Sequence, residues 1–273
     1  MPRSLIGVSG WSYDSWRGDF YPEGLARTKQ LAYVASQMPA VEVNGTFYSL
    51  QRPTTFRRWV EQTPDDFVIS LKGSRYVTHL LRLVNVETAL ANFFASGVLE
   101  LGDRLGPIVW QLPATIPYDR ALVDRFLALL PRSTEEAAKL ATGHDERLSP
   151  ERAVTEALVS APIHHVLEVR HPSFLDPGFA DVLHGHDVAA VRNDAPRPWP
   201  VLDIGSSHLV YARLHGHTRM YASRYADSSL DTWAQWCRRW QAEGRDVHVY
   251  FDNDSEGHAP HDAVRLLRRL SGS

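Results

Sequence analysis

His165-Val166-Leu167-Glu168-Val169-Arg170-His171 is a short apolar run with a carboxylate and a guanidinium two residues apart. In a strand, side chains two apart share a face, so Glu168 and Arg170 point one way and Leu167 and Val169 the other. A strand with one greasy side and a charged end suits a closed parallel barrel. There the apolar side packs on outer helices and the charges emerge at the carboxyl-end mouth.

The same alternation extends in both directions. Leu5–Ser9 reads as strand one, followed by an aromatic loop with Tyr13, Trp16, Phe20 and Tyr21. A helix over Leu25–Gln37 leads to strand two, Ala40–Asn44, in which Glu42 and Asn44 share a face. Pro53 opens a helix ending before Thr63-Pro64, and Phe67–Leu71 is strand three with Lys72 at its end. Arg75–His79 reads as loop, Val86–Leu105 as one helix, Pro107–Leu112 as strand four and Leu122–Leu130 as a helix. The polar segment 132–151 is expected to be an extra surface helix and loop, a surface insertion, followed by a helix over Arg152–Ser160. After strand five, Phe179–Leu183 is helical and Val188–Val191 is strand six. Arg192-Asn193-Asp194 reads as the start of a proline-rich loop, with the following helix short or missing. His208–Leu214 is strand seven, Asp246–Phe251 strand eight, and Pro260 starts a last helix. Trp233, Trp236 and Trp240 recur at helical spacing and read as core.

Strand and helix patterns thus alternate over the whole chain, which argues for βαβ units. Eight of them in about 250 residues predict a single α/β domain, a (β/α)₈ TIM-like barrel over residues 1–273. An open doubly wound sheet is the rival, but no Gly-x-Gly-x-x-Gly turn follows the first strand.

The composition sets bounds. At 273 residues, 44 % hydrophobic and 22 % charged, the chain has the make-up of a globular protein. A net charge of −3 carries no overall basic footprint for nucleic acid. Lysine occurs only at Lys29, Lys72 and Lys139. One cysteine, Cys237, excludes an intramolecular disulfide and fits a reducing cytoplasm. It reads as a small apolar core residue. The first strand starts at Leu5, leaving no room for a signal peptide, and no apolar run reaches membrane-spanning length, so a cytoplasmic protein is expected.

The chemistry-bearing residues gather in or just past the strand ends: Trp11, Glu42 and Asn44, Lys72, Gln111, Glu168 and Arg170, Arg213 and His215, and Asp252. In a barrel those ends converge on one mouth. Each charge alone could be a structural partner for another. The motifs Gly10-Trp11-Ser12-Tyr13, Val41-Glu42-Val43-Asn44-Gly45-Thr46-Phe47-Tyr48, Lys72 with Thr78-His79, Gln111-Leu112-Pro113, Glu168-Val169-Arg170-His171, Arg213-Leu214-His215-Gly216 and Tyr250-Phe251-Asp252-Asn253-Asp254 occur in that order. Together they resemble the YecE-like family of domains of unknown function. The resemblance runs from about Leu5 to Leu270 and implies a TIM-like barrel in a cytoplasmic bacterial protein, without implying a reaction.

Two carboxylates among cations and histidines suit acid-base work, with Glu168 the first candidate and Glu42 the second. Lys72 is the third, as a Schiff-base amine or, better, a charge partner. Arg170 and Arg213 offer forks for a small polar or anionic ligand, unless Asp252 reaches inward and balances them. Substrate contacts are expected from Trp11, Asn44, Tyr48, His79, Gln111, Arg170, His171, Arg213, His215, Tyr225, Asp252 and Asn253. Tyr13, Phe47 and Tyr221 could help wall the mouth and stack on a sugar or base. No cofactor is expected. A divalent metal on Glu42, Glu168, Asp252 and His215 is the alternative, disfavoured by the nearby cations and the lack of metal-ligand spacing. His164, His165, His184 and His186 read as surface or helix-end residues. Asp252-Asn253-Asp254 lacks the full calcium-loop pattern. The leading function is an acid-base enzyme, with a nucleic-acid-binding or nucleic-acid-processing barrel and a non-catalytic metabolite binder as rivals.

Overall fold

Strand β7 (Leu209–Leu214) has no exposed residue along its whole length, as expected of a parallel strand covered on both faces. Its neighbour β8 (Asp246–Phe251) runs parallel to it in the register Arg213 to Tyr250. The computed structural model describes residues 2–272. Its strands close in chain order into an eight-stranded parallel barrel: β1 (Ser4–Ser9), β2 (Ala40–Val43), β3 (Val68–Lys72), β4 (Leu105–Gln111), β5 (His165–Glu168), β6 (Ala189–Asp194), β7 and β8. The helices between them are α1 (Gln30–Gln37), α2 (Gly45–Tyr48), α3 (Pro53–Glu61), α4 (Glu87–Ala95), α5 (Arg120–Ala128), α6 (Thr134–Ala141), α7 (Pro177–Gly185), α8 (Asp227–Ala242) and α9 (His258–Ser271). This is the (β/α)₈ plan read from the alternation.

The chain packs as two compact units: residues up to Glu42 with those from Ala189 onward, and Val43–Val188. In the first unit, alternate residues of β7 and β8 build one polar layer and one apolar layer. Tyr211 lies 5.1 Å from the Tyr250 ring and 5.8 Å from the His248 ring. Gly7 of β1 leaves room for them: a Cβ there would fall 2.1 Å from the Ala40 carbonyl oxygen and 3.3 Å from Tyr250. On the other face Val247, Val249 and Phe251 are buried. Trp233, Trp240 and Cys237 of α8 are buried too. Between β6 and β7 there is no helix among the described residues, as the proline-rich sequence predicts.

In the second unit, Trp110 of β4 is fully buried, with Phe93 of α4 and Phe126 of α5 each 5.5 Å from its ring. Its indole N–H donates to His165 Nδ1 at 3.1 Å, and His165 Nε2 meets the Pro131 carbonyl at 2.7 Å. His165 is therefore core, not surface, because both of its ring nitrogens find partners inside. His186 instead pairs with Asp124 at 2.9 Å.

Several boundaries depart from the sequence reading. The helix expected over Leu25–Gln37 begins only at Gln30, after Gly24 takes a left-handed φ of 76° and a short 3₁₀ turn intervenes. The helix expected over Val86–Leu105 breaks after Ala95, because Gly97 adopts φ 119° where a Cβ would meet Pro53 at 2.7 Å. Residues 76–80 form a π-helical turn where loop was expected. No helix forms over 152–160 beyond a 3₁₀ turn at Pro150–Arg152. The extra helix expected within 132–151 is α6, and it is not confined to the surface. Ala137 and Ala141 of α6 are fully buried, and Asp145 is clasped to Asn92 of α4 by bonds of 2.9 and 3.0 Å. Strand β6 extends through Arg192-Asn193-Asp194, where loop was expected, each pairing with β7. Ser133 capping the Glu136 N–H starts α6, and Pro53 at the first turn starts α3.

Candidate functional site

At the carboxyl end of β7, Arg213 is a guanidinium with 1 % exposure, and its surroundings explain how a charge can sit there. Its Nε and one terminal nitrogen reach Glu42 Oε1 at 3.1 and 2.8 Å. The same terminal nitrogen donates to Ser9 Oγ at 3.0 Å and to Asp252 Oδ2 at 3.1 Å. Glu42 is fully buried and also accepts from Ser9 Oγ on Oε1 and from the Tyr211 hydroxyl, at 2.7 Å, on Oε2. Burial, then the adjacent Glu42 carboxylate, pushes the Tyr211 phenol pKa well above its ordinary value, so it stays a donor. The members come from the carboxyl ends of β1 (Ser9), β2 (Glu42) and β7 (Tyr211 and Arg213, two apart and so on one face), with Asp252 one residue past β8.

Asp252 extends the network outward. Its Oδ2 also meets His215 Nδ1 at 2.9 Å, and His215 Nε2 lies 3.1 Å from Asn193 Oδ1 of β6. His215 is fully buried between the edges of Trp199 and Tyr221, each 5.6 Å away. The Asp252 side chain keeps 14 % exposure, whereas Glu42 keeps none. Two residues on, Asp254 is 6 % exposed, with the Tyr13 hydroxyl beside its carboxyl. Burial first, and the Asp252 charge second, push the Asp254 pKa well above the usual carboxylate range. The Tyr13 hydroxyl and Arg213 oppose the shift without cancelling it. That hydroxyl donates to the Ser9 carbonyl at 2.6 Å.

Other expected contacts in this unit are occupied structurally. Asn253 Nδ2 donates to Asp262 Oδ2 and the Ser223 carbonyl, each at 3.0 Å. Buried Tyr225 accepts from the Gly216 N–H at 3.2 Å, and its own N–H donates to Asp262. These bonds fasten the loop after β7 to α9. Trp11 is half-buried, and its carbonyl accepts from Tyr21.

The second unit holds its own cluster at strand ends. Lys72 Nζ lies 4.3 Å from the centre of the Phe47 ring, a contact that rewards an ammonium rather than a free amine. The Lys72 carbonyl accepts from Thr46 Oγ1 at 2.7 Å. His79 stands edge-on to Phe47 at 5.1 Å, with Nδ1 2.9 Å from Thr78 Oγ1. Burial first, then Lys72, Arg170 and Arg75, lower its pKa to about 4, so it is a neutral imidazole at pH 7. Glu168 is fully buried and bonded by Arg170 Nε at 2.8 Å and a terminal nitrogen at 2.6 Å; the two pair as expected, although β5 ends at Glu168 and Arg170 lies two residues beyond it rather than on the strand. Gln111 is buried opposite Glu168 in the β4–β5 register.

Three expected residues are placed differently. Asn44 leaves β2 in a helical conformation, so it does not share a strand face with Glu42. Tyr48 is 68 % exposed on α2. His171 caps a 3₁₀ turn, its Nδ1 accepting from the Ser173 N–H at 3.2 Å. Sequence reasoning missed Ser9, Tyr211, Asn193 and Asp254. Tyr211 could have been found, since it lies two residues before Arg213 on one face. Among the described residues no three His, Cys, Asp or Glu side chains group as a metal ion requires. Among the described residues no helix is long and apolar enough to cross a membrane.

Comparison with known proteins places the chain. The family model described as "Protein of unknown function DUF72" matches residues 5–273. The UPF0759 protein YunF of Bacillus subtilis is 22 % identical over 278 aligned residues, 97 % of this chain and 94 % of YunF. The UPF0759 protein YecE of Escherichia coli is 32 % identical over 127 residues, 46 % of this chain and 44 % of YecE. Among solved structures, a DUF72 family protein of Thermotoga maritima superposes with TM-score 0.76 at 22 % identity, covering 98 % of this chain and 99 % of that one. One from Enterococcus faecalis gives TM-score 0.75 at 17 % identity, covering 100 % and 96 %. Both show the shared barrel. With its family model matched from Leu5 to the last residue, this chain belongs to the DUF72 family.

Proposed function

We propose that the protein is an enzyme that moves protons on a small polar substrate at the ends of β7 and β8. The observation that carries this reading is the pair Asp252 and Asp254. One accepts from a guanidinium, as an ionised carboxylate does, and the other is almost wholly buried, with its pKa pushed up by that burial and by the Asp252 charge. Two carboxyls whose surroundings push their proton affinities apart can serve as base and acid at one pH. Asp252 is the base because it keeps exposed surface, and Arg213 and His215 hold it in place. Asp254 is the acid. Glu42, fully buried and accepting from Ser9, Tyr211 and Arg213, orients Arg213 rather than reacting.

The charge balance favours a neutral polyhydroxy or hydroxycarbonyl substrate over an anion here. Arg213 already faces Glu42 and Asp252, two carboxylates to one guanidinium. A fork committed in this way gains little from a third anion.

The test is hydrogen exchange. The protein is incubated in D₂O with a panel of small sugars and hydroxycarbonyl compounds, and deuterium uptake is read by mass spectrometry. Uptake at carbon that is lost in Asp252→Asn supports the reading. Ligand binding with no exchange or turnover in any member points to a metabolite binder instead. Salt-dependent affinity for oligonucleotides without exchange points to a nucleic-acid barrel.

A further inference from the structure

The second unit contains a cavity of about 350 Å³ that the acid-base site does not use. Its lining residues include Tyr48, Leu50, Ser74, Tyr76, Ala89 and Arg147. That volume is at the lower end of pockets that take small-molecule ligands, and an apolar lining with few polar groups is their usual chemistry. Tyr48 is 68 % and Tyr76 36 % exposed, so two aromatic lining residues are left open to solvent. A ring left in water forfeits the burial that ordinarily places it inside.

Arg147 is held in place. Its guanidinium carbon lies 5.1 Å from the centre of the Tyr76 ring. Its backbone N–H donates to Asp145 Oδ1 at 3.1 Å, and Asp145 is clasped twice to the buried Asn92 of α4. The ion pair between the Arg147 and Asp145 side chains is long, at 3.7 Å, and Arg147 is half exposed. A stacked guanidinium with a distant counter-ion can still take a carboxylate or phosphate. The segment that supplies Ser74 and Tyr76 is independently costly. It continues into the π-helical turn 76–80 and then places Arg82, Leu83 and Asn85 at φ of 52°, 67° and 51°. Such turns and strained non-glycine residues persist where the surrounding structure enforces them, and they concentrate at binding sites.

We infer that this cavity binds a small flat aromatic or heteroaromatic ring bearing one anionic group, with the ring against Tyr48 and Tyr76 and the anion on Arg147. A nucleoside monophosphate and an aryl carboxylate share that chemistry. Isothermal titration of the full chain with AMP, adenosine, 4-hydroxybenzoate and inorganic phosphate tests it, on the wild type and on Arg147→Gln and Tyr48→Ala. Both side chains are exposed enough for the variants to fold, which a thermal melt checks. Binding of one or both ring anions, at least tenfold weaker for adenosine and absent for phosphate alone, is expected. Arg147→Gln should lose tenfold or more, and Tyr48→Ala several-fold. AMP alone binding names a nucleoside phosphate as the source, and 4-hydroxybenzoate alone an aryl carboxylate. No binding at millimolar ligand, or affinity unchanged in Arg147→Gln, overturns the inference.

Discussion

Arg213 and Glu42 are 1 % and 0 % exposed and meet at 2.8 Å, a fully enclosed ion pair joining β7 to β2 within one unit. Such a pair contributes little net stability while intact, but breaking it leaves a buried charge with nothing to offset it. Arg213→Met should therefore cost about 3–5 kcal/mol by urea unfolding. Asp252→Asn, whose side chain keeps some water contact, should cost less than half of that. A loss below about 1 kcal/mol for Arg213→Met would mean that the Ser9 and Tyr211 hydroxyls alone suffice for Glu42.

The strands were legible where apolar residues run to a turn: β8 matches the sequence reading at both ends, and β1 and β7 to within a residue. Strand β6 was cut short because Arg192-Asn193-Asp194 followed by prolines looks like loop. These polar residues stay in the strand because Arg192 stacks 4.3 Å over Trp236 and Asn193 meets His215. Neither partner is visible from local pattern. Glu168 and Arg170 were brought together by a strand spacing, and they pair, though the strand itself stops at Glu168. Asp254 was passed over because it looks like any strand-end carboxylate. What distinguishes it is near-complete burial of a carboxyl beside a second one, a property of the packed fold rather than of the residue. The same holds for His165, read as surface, whose role depends on Trp110, 55 residues earlier.

Gly73, directly after Lys72, lets the Trp110 ring lie against bare backbone. A Cβ there would fall 2.3 Å from Trp110 Cε3. The ring cannot retreat freely, since Phe93 and Phe126 pack on it. Gly73→Ala should destabilise the protein by about 1–3 kcal/mol, the usual cost of overpacking. Near-ultraviolet circular dichroism should report the displaced indole. An unchanged spectrum and an unchanged urea midpoint would contradict this packing.

Burial lowers the His165 pKa to about 3. The unfolded chain titrates this histidine near 6.5. A depressed pKa means that the unfolded state binds the proton first. The stabilising contribution is thus complete above about pH 6.5 and is lost as pH falls toward 3, at up to about 1.4 kcal/mol per pH unit. Nitrogen-15 NMR should find His165 as the neutral Nε2–H tautomer down to about pH 4, since Nδ1 accepts from Trp110 and Nε2 faces the Pro131 carbonyl. A protonation midpoint near 6.5 would show that the side chain is open to water.

Asp254 should act on stability with the opposite sign. Its folded pKa is raised above the unfolded value of about 3.9, so the folded state holds the proton more tightly. The contribution is fully present below about pH 3.9 and is lost as pH rises through the folded pKa, at up to about 1.4 kcal/mol per pH unit. Asp254→Asn cannot ionise, so it removes this slope while keeping nearly the same shape. The buried amide adds a constant offset of its own, which makes the pH dependence of the difference the quantity to read. Urea unfolding of both proteins between pH 4 and 8 should show the variant gaining on the wild type as pH rises. A difference that stays level across that range would mean that Asp254 is ionised in the folded protein. The base and acid roles assigned to Asp252 and Asp254 would then fall together.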